Sequence, residues 1–153
     1  QGRAMSPPAD PLSSAFEEAR AAAARGEAPI GAVVTRAGEV VSAAGNRTLE
    51  RSDPTAHAEM LAIRAACAAL GSQRLPDCDL YVTLEPCAMC AGAISFARIR
   101  RLYFAADDPK GGAVEHGPRF FAQPTCHHAP EVYGGLRASE AGALLRRFFS
   151  ERR

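Results

Sequence analysis

Apolar residues follow two patterns along the chain, and together these predict alternating helices and short strands. Helical spacing of apolar positions predicts helices, and these cover residues 13–25, 58–70, 86–96 and 139–151. Short apolar runs bounded by turn residues predict strands, which cover residues 30–35, 40–44, 79–84, 99–105 and 131–133. Between residues 107 and 125 the pattern indicates a loop with one short helix near Phe120.

The order of these segments predicts how the strands pair. Strands 30–35 and 40–44 are separated by a glycine-containing turn, which favours an antiparallel hairpin. The strand–helix–strand order over residues 80–104 favours two parallel strands joined through a helix. We therefore expect an α/β fold with three layers, α/β/α, around a mixed central sheet of about five strands.

Glycine and proline positions indicate where the helices begin and end, and an apolar stripe indicates the inward face of the last helix. Gly26 and Gly71 are placed to end the first two helices, and Pro86 is placed in the first turn of the third. The inward face of the last helix is expected to carry four apolar side chains, Leu144, Leu145, Phe148 and Phe149.

Composition limits the classes of protein. A chain of 153 residues with 47% hydrophobic and 23% charged residues is an ordinary globular protein, not a disordered, collagen-like or coiled-coil one. Its length suits one domain, which we expect to span residues 5–153. The net charge is only +1, and a general nucleic-acid coat protein would be far more basic. Any contact with nucleic acid therefore requires a local basic patch.

Targeting segments and the number of cysteines together predict the cellular compartment of the protein. Residues 1–4 precede Met5 and are interpreted as a remnant of cloning. The sequence contains neither a secretory signal layout nor a stretch near the ~20 apolar residues of a membrane span. Five cysteines, an odd number, then favour a reducing compartment, the cytoplasm. There, cysteine spacing indicates a metal site or catalysis before it indicates disulfides.

Cys87 and Cys90 form a CxxC pair at the start of a predicted helix. Residues three apart share a helix face, and the helix N-terminus favours thiolates, so the pair can chelate a tetrahedral metal. A redox dithiol of the thioredoxin kind uses the same spacing. Two unrelated buried cysteines are the third interpretation. The pair alone does not distinguish these three.

His57 and Glu59 favour the metal interpretation. His57 opens a helix after a polar loop, so it can meet the CxxC pair at one end of the sheet. Three protein ligands leave one zinc position open, which is typical of catalytic sites. Glu59 could then move protons between water, substrate and leaving group. The ordinary alternatives are a surface histidine and a glutamate that stabilises the first helical turn.

The segments His57-Ala-Glu59 and Pro86-Cys-Ala-Met-Cys90 match the H-x-E…P-C-x-x-C signature of zinc nucleobase deaminases. The chain resembles the cytidine deaminase-like superfamily, and within it the bacterial tRNA-specific adenosine deaminases. The other segments that carry the resemblance are residues 28–33, 45–47, 53–59, 80–94, 97–99, 108–110 and 148–153.

This resemblance implies a role for particular residues. His57, Cys87 and Cys90 would hold one Zn²⁺ per chain, and Glu59 would move the proton. Asn46 would hydrogen-bond the flipped base, although asparagine is also a common turn residue. The other substrate-binding residues would be Pro29, Ile30, Ala58, Leu84 and Asp108. Arg152 and Arg153 would contact RNA.

The resemblance also implies the reaction, with alternatives. A hydrolytic deaminase would convert adenosine to inosine at the wobble position of a tRNA anticodon loop, and the anticodon stem-loop would be its partner. The first alternative is a deaminase of a free nucleobase or nucleoside, either guanine or cytosine/cytidine. A zinc-bearing RNA-binding module without turnover and a redox dithiol protein are two further classes. A homodimer is expected, because residues 91–99 are apolar on more than one face; the alternative is burial of this segment under the C-terminal helix of the same chain.

Some segments depart from the family pattern. Family members often have Gly-Ser where Glu115 and His116 stand, and usually Asn-His where Cys126 and His127 stand. The run Cys126-His127-His128 could be a second metal site, but loop structure or substrate contact is preferred, since adjacent residues rarely face one centre. Two arginine clusters, residues 98–101 and 146–153, are expected to hold phosphates beside a base pocket, or else to be solvated helix faces.

Overall fold

The computed structural model describes residues 10–151. The predicted RNA contacts Arg152 and Arg153, and residues 1–4, which are interpreted as a remnant of cloning, lie outside the described residues. The helices are α1 (Pro11–Ala24), α2 (Ala58–Leu70), α3 (Ala88–Ala97) and α4 (Ala138–Glu151). The strands are β1 (Gly31–Arg36), β2 (Glu39–Gly45), β3 (Cys78–Leu84), β4 (Arg101–Ala106) and β5 (Glu131–Tyr133). A single 3-10 turn at Phe120–Ala122 confirms the short helix expected there.

The five strands form one mixed sheet in the order β2-β1-β3-β4-β5. β1 pairs antiparallel with β2 and β3, whereas β3, β4 and β5 are parallel to one another. The hairpin and the parallel pair joined through a helix are both confirmed. Because β1 and β3 are antiparallel, the start of β1 and the end of β3 lie at the same edge of the sheet.

Alternating side chains build a core on each face of the sheet. On one face Leu102 and Phe104 of β4 pack with apolar residues of α2 and α3. On the other face Ala105 of β4 packs with Phe16 of α1 and Ala141 of α4. This two-residue alternation is what a sheet buried on both faces requires. The three-layer α/β/α fold is confirmed.

The first helix lies very close to the sheet. A Cβ atom at Gly31 would overlap the carbonyl oxygen of Ala15, so only glycine fits at this position of β1. The helix begins at Pro11, with the side chain of Asp10 accepting a hydrogen bond from the Leu12 amide. It therefore starts two residues before the predicted position, at a proline in the first turn where proline is tolerated.

Two local predictions are wrong. Pro86 is not in the first turn of α3, because Cys87 has extended backbone (φ −74°, ψ 176°) and caps a helix that begins at Ala88. Phe149 does not face inward but is 57% exposed, whereas Phe148 is buried. The buried residues of α4 are Ala141 and Phe148, which lie on one narrow stripe, and Phe149 points about 100° away from Phe148 around the helix.

No helix among residues 10–151 has both the length and the apolar content needed to cross a membrane.

Candidate active site

Two helix N-termini meet beside the end of β3. His57 is the residue before α2 and Cys87 is the residue before α3, and both have extended backbone. Neither side chain caps its own helix. Cys90 lies in the first turn of α3, one turn along from Cys87. The sheet edge thus brings His57 together with two cysteines that follow it by 30 and 33 residues in the sequence.

The three ligand atoms have the spacing of a tetrahedral site. His57 Nδ1 is 3.6 Å from the Cys87 Sγ and 3.6 Å from the Cys90 Sγ. A tetrahedral zinc ion with ordinary Zn–S and Zn–N bonds would separate sulfur from nitrogen by about 3.6 Å. Within the described part of the chain this is the one group of three or more His, Cys, Asp or Glu side chains placed to share an ion. Nitrogen and thiolate donors suit zinc.

Hydrogen bonds within the cluster favour a thiolate. The Cys90 thiol, followed by His57, lowers the pKa of Cys87 to about 4, although burial opposes this shift. The same bond to Cys87, together with burial, raises the pKa of Cys90. The hydrogen bond with Cys87 raises the pKa of His57. Cys87 is therefore an anionic donor at neutral pH.

Glu59 lies within the same site but does not belong to the three-ligand group. It is only 4% exposed, in the first turn of α2, and burial raises the pKa of its carboxyl to about 7. A carboxyl with a pKa near neutrality can both accept and release a proton, which is what a general acid–base group requires.

A cavity of about 250 Å³ opens onto these residues. It is smaller than the ~300–1,000 Å³ pockets of drug-sized ligands, which suits a single planar base. Of the residues expected at the site, the cavity is lined by His57, Glu59, Cys87, Ile30, Leu84 and Asp108. Apolar walls beside a buried carboxyl and three metal-type donors make this the candidate active site.

Comparisons with known proteins agree with this geometry. Residues 8–106 match the family model described as the cytidine and deoxycytidylate deaminase zinc-binding region. A tRNA-specific adenosine deaminase of Agrobacterium fabrum is 66% identical, over 91% of each chain. One from Bacillus subtilis is 43% identical, over 93% of this chain and 88% of its own. The chain belongs to the tRNA-specific adenosine deaminase family and contains the cytidine and deoxycytidylate deaminase zinc-binding region.

Solved structures extend the comparison. One from a study of A-to-I editing by tRNA:A34 deaminases superposes with a TM-score of 0.87 at 64% identity, covering 88% of this chain and 98% of its own. The guanine deaminase of Nitrosomonas europaea superposes with a TM-score of 0.79 at 29% identity, covering 97% and 87%. The predicted family, its zinc cofactor and the deaminase class are confirmed.

Three expected substrate residues do not line the cavity of this deaminase. Ala58 is fully buried in the core between α2 and the sheet, because it sits on the inward side of the first helical turn. Pro29 is buried beside Ile30. Asn46 is 5% exposed, and its amide group donates to Thr48 Oγ1 at 3.2 Å and Glu27 Oε1 at 3.5 Å.

Asn46 nevertheless lies next to the cavity, since its backbone N–H donates to the carbonyl of Ile30, a lining residue. Asp108 lines the cavity, but its Oδ1 accepts from the amides of Lys110 and Gly111 at 3.2 and 3.0 Å. Part of that carboxylate therefore stabilises its own turn.

Sequence reasoning missed two residues that line the cavity, Glu85 and Gly111. Glu85 is 2% exposed and directly follows β3. The signal available for it was a carboxylate placed between an apolar strand and the Pro86-Cys87 turn. Gly111 lies in a loop, and no pattern in the sequence distinguished it from the neighbouring glycine.

The Cys126-His127-His128 run is loop structure. Cys126 Sγ donates to the His128 carbonyl at 3.1 Å, and His128 Nε2 donates to the carbonyl of Ile99 at 2.7 Å. The His128 amide also bonds Ser95 Oγ at 3.3 Å. These bonds attach the loop to the end of α3, far from His57, and His127 is exposed.

The expectation that Arg98, Arg100 and Arg101 lie beside the base pocket is wrong for the site of the same chain. They precede β4 or begin it, whereas the active site is at the opposite, carboxyl end of the parallel strands. Arg100 forms a two-pronged ion pair with Asp79 at 3.0 and 2.8 Å, and Arg101 pairs with Glu131. Sequence spacing grouped these residues but could not place them relative to the site.

Proposed function

We propose that this deaminase converts adenosine to inosine at the wobble position of a tRNA anticodon loop. The observation that carries the proposal is that the buried Glu59 lines the same small cavity as His57 and Cys87, which form one three-donor group with Cys90. The 66% identity to a relative named a tRNA-specific adenosine deaminase supports the choice of substrate.

In this proposal His57, Cys87 and Cys90 would hold one zinc ion per chain. When bound, the ion would supply Lewis-acid activation of a water molecule. Glu59 would take one proton from the attacking water and deliver it to the adenine ring, and would then transfer the second water proton to the departing amine. Adenosine and water become inosine and ammonia, so no further reactant is needed.

Substrate contacts divide into two groups. Ile30, Leu84 and Asp108 line the cavity and are proposed to touch the base directly. Asn46, Pro29 and Ala58 are proposed to support that wall from behind, with Asn46 closest to it through its bond to the Ile30 carbonyl.

Arg152 and Arg153 are proposed to contact the RNA backbone. They follow directly on α4, where Arg147 is exposed and pairs with Glu151. Arginine binds phosphate through a planar fork of donors.

The assembly is proposed to be a homodimer of a single deaminase domain, residues 5–153, in the cytoplasm. Phe96 on α3 is 72% exposed although its neighbours on the same helix, Ile94 and Ala97, are buried. A second copy of the chain would cover it. All five cysteines are unpaired, which suits a reducing compartment.

The substrate is tested by supplying an anticodon stem-loop and, separately, free adenosine, guanine and cytosine to the zinc-loaded enzyme. We expect inosine from the stem-loop, at a rate that falls steeply with salt because each neutralised phosphate releases counterions. Faster turnover of guanine or cytosine would instead support a free-base deaminase, the alternative that likeness to the Nitrosomonas europaea guanine deaminase favours.

The RNA contacts are tested with the double variant Arg152→Ala, Arg153→Ala. We expect weaker stem-loop binding and a smaller dependence on salt, by about one unit of slope for each arginine that no longer neutralises a phosphate. Zinc content should not change. The matched control is Arg100→Ala, Arg101→Ala, two adjacent arginines at the opposite end of the sheet. Equal loss of binding in both double variants would contradict the assignment.

A further inference from the structure

Glu85 is a buried carboxylate that the proposed chemistry does not use. Its side chain is completely enclosed, directly after β3. Oε1 accepts hydrogen bonds from the Asp108 amide at 3.0 Å and from His116 Nδ1 at 2.8 Å. Oε2 accepts from the amides of Val114, Glu115 and His116 at 3.1, 2.9 and 3.2 Å. One carboxylate therefore receives five hydrogen bonds from both ends of a single loop.

That loop, residues 108–116, forms part of the cavity wall, and we refer to it as the pocket loop. Asp108 and Gly111, which lie inside it, line the cavity together with Glu59. Apart from Glu85, it is attached to the strand end by the Ala113 amide, which donates to the Pro86 carbonyl at 2.9 Å. Moving Glu85 would therefore move the cavity wall.

The pocket loop packs closely against the Glu85 side chain at Gly112. A Cβ atom at Gly112 would lie 2.5 Å from the carboxyl group of Glu85 and 2.5 Å from the Asp108 carbonyl oxygen. Glycine therefore lets the pocket loop wrap tightly around the carboxylate. The loop cannot shift inward without displacing the Glu85 side chain.

His116 is the one side chain among the five donors, because the other four are backbone amides that any residue but proline supplies. Since a carboxylate only accepts, the His116 Nδ1 must donate, which fixes the tautomer or the charge of the ring. The imidazole is 31% exposed, so it closes the outer side of an otherwise buried anion.

We infer that Glu85 and His116 are a positioning pair that fixes the pocket loop in the conformation that receives the nucleotide. This rests on the proposed function for the identity of the substrate. Neither residue takes part in the proton transfers. They act through Asp108 and Gly111, whose places in the cavity wall depend on the bonds to Glu85.

The test compares His116→Ala, His116→Asn and the unchanged full chain, each loaded with zinc. The asparagine side-chain nitrogen occupies nearly the place of Nδ1 and can donate to Glu85, so His116→Asn is the rescue variant. For His116→Ala we expect KM for the stem-loop to rise at least about ten-fold, the lower end of the effect of losing one hydrogen bond to a charged group. The value of kcat should stay within about two-fold, and His116→Asn should restore KM.

A second measurement needs no substrate. Hydrogen exchange at the amides of residues 114–116 should become about ten-fold faster in His116→Ala and return towards the original rate in His116→Asn. His127→Ala is the matched control, because His127 is an exposed histidine eleven residues further along the chain. It should change neither KM nor exchange at residues 114–116.

Three results would overturn the inference. Unchanged exchange and unchanged KM in His116→Ala would show that the bond to Glu85 does not hold the loop. A fall in kcat at constant KM would make His116 a catalytic residue instead. Failure of His116→Asn to restore either value would show that donation to Glu85 is not the cause. If the unchanged enzyme does not act on the stem-loop but exchange responds as expected, the proposed substrate fails while the positioning pair stands.

Discussion

The pKa values of two buried glutamates on the cavity wall, Glu59 and Glu85, are shifted in opposite directions, and their surroundings explain the difference. Burial raises the pKa of Glu59 to about 7, with few compensating bonds. Burial also raises the pKa of Glu85, but bonds from the Asp108 amide, from His116 and from further backbone amides outweigh it, so its pKa lies below the ordinary value. Glu59 can therefore exchange a proton near neutral pH, whereas Glu85 remains a fixed anion.

This difference leads to a prediction for Glu59→Gln. The variant keeps the size of the side chain but cannot carry a proton, so deamination should fall by about two to four orders of magnitude. Zinc content should stay at one per chain, because Glu59 is not one of the three grouped donors. Cys87→Ala should lose both activity and metal. Elemental analysis and an inosine assay on the same samples measure the two effects.

Glu39→Gln is the control for this prediction, since Glu39 is the exposed first residue of β2, at the opposite end of that strand from the site. It should change neither quantity. Loss of zinc from Glu59→Gln would mean that Glu59 is itself a ligand and that its role as proton carrier is wrong.

At the level of single elements, Gly71 and Gly142 affect the stability of their helices in opposite ways. Gly71 ends α2 with left-handed backbone (φ 63°, ψ 34°), and its amide donates to the Cys67 carbonyl. A Cβ atom there would meet nothing within 4 Å, so the requirement for glycine is purely conformational. Gly142 instead lies inside α4, where glycine only adds flexibility to the unfolded chain.

Alanine at these two positions should therefore change stability in opposite directions. Gly71→Ala should lower the free energy of unfolding by about 1 kcal/mol, the cost of left-handed backbone for an L-residue. Gly142→Ala should raise it by about 0.5–1 kcal/mol through better helix propensity. Its Cβ would lie 3.1 Å from Arg146 Nη1, at the end of a flexible, exposed side chain that can move. Equilibrium urea unfolding measures both, and a loss of stability in Gly142→Ala would contradict the account.

At the level of the whole molecule, α3 carries apolar residues on more than one side. Ile94 is fully buried against the sheet, whereas Phe96 is 72% exposed. The same helix supplies Cys90 to the candidate metal site through its first turn. A partner copy covering Phe96 would therefore lie against a helix whose other end belongs to the active site.

We expect Phe96→Asp to weaken the proposed homodimer. Loss of a buried aromatic anchor of about 2 kcal/mol corresponds to a dissociation constant roughly thirty-fold higher. Sedimentation equilibrium at micromolar concentration measures the mass of both proteins. Phe149→Asp is the control, because Phe149 is 57% exposed on α4, on the other face of the sheet. A mass near one chain for the unchanged protein would rule the dimer out.

The chemistry of the site could be predicted from the sequence because it depends on local spacing. Cys87 and Cys90 are three residues apart, and His57 and Glu59 flank a helix start, so each pair is positioned by a single turn of backbone. Parallel pairing of β3 and β4 likewise follows from the helix between them, since a short turn cannot connect parallel strands. These features need only the geometry of neighbouring residues.

The remaining features were decided by contacts between distant parts of the chain. The sequence pattern gave Phe148 and Phe149 the same expected face, but the way α4 packs in the folded chain buries Phe148 and leaves Phe149 exposed. The cluster of Arg98, Arg100 and Arg101 in the sequence predicted a phosphate-binding patch, but the direction of the strands places it at the end of the sheet opposite the active site. The pocket loop has no periodicity at all, because its conformation comes from hydrogen bonds to Glu85, 23 to 31 residues away. Loop backbone is held by whichever distant group satisfies its amides, and only the tertiary structure reveals that group.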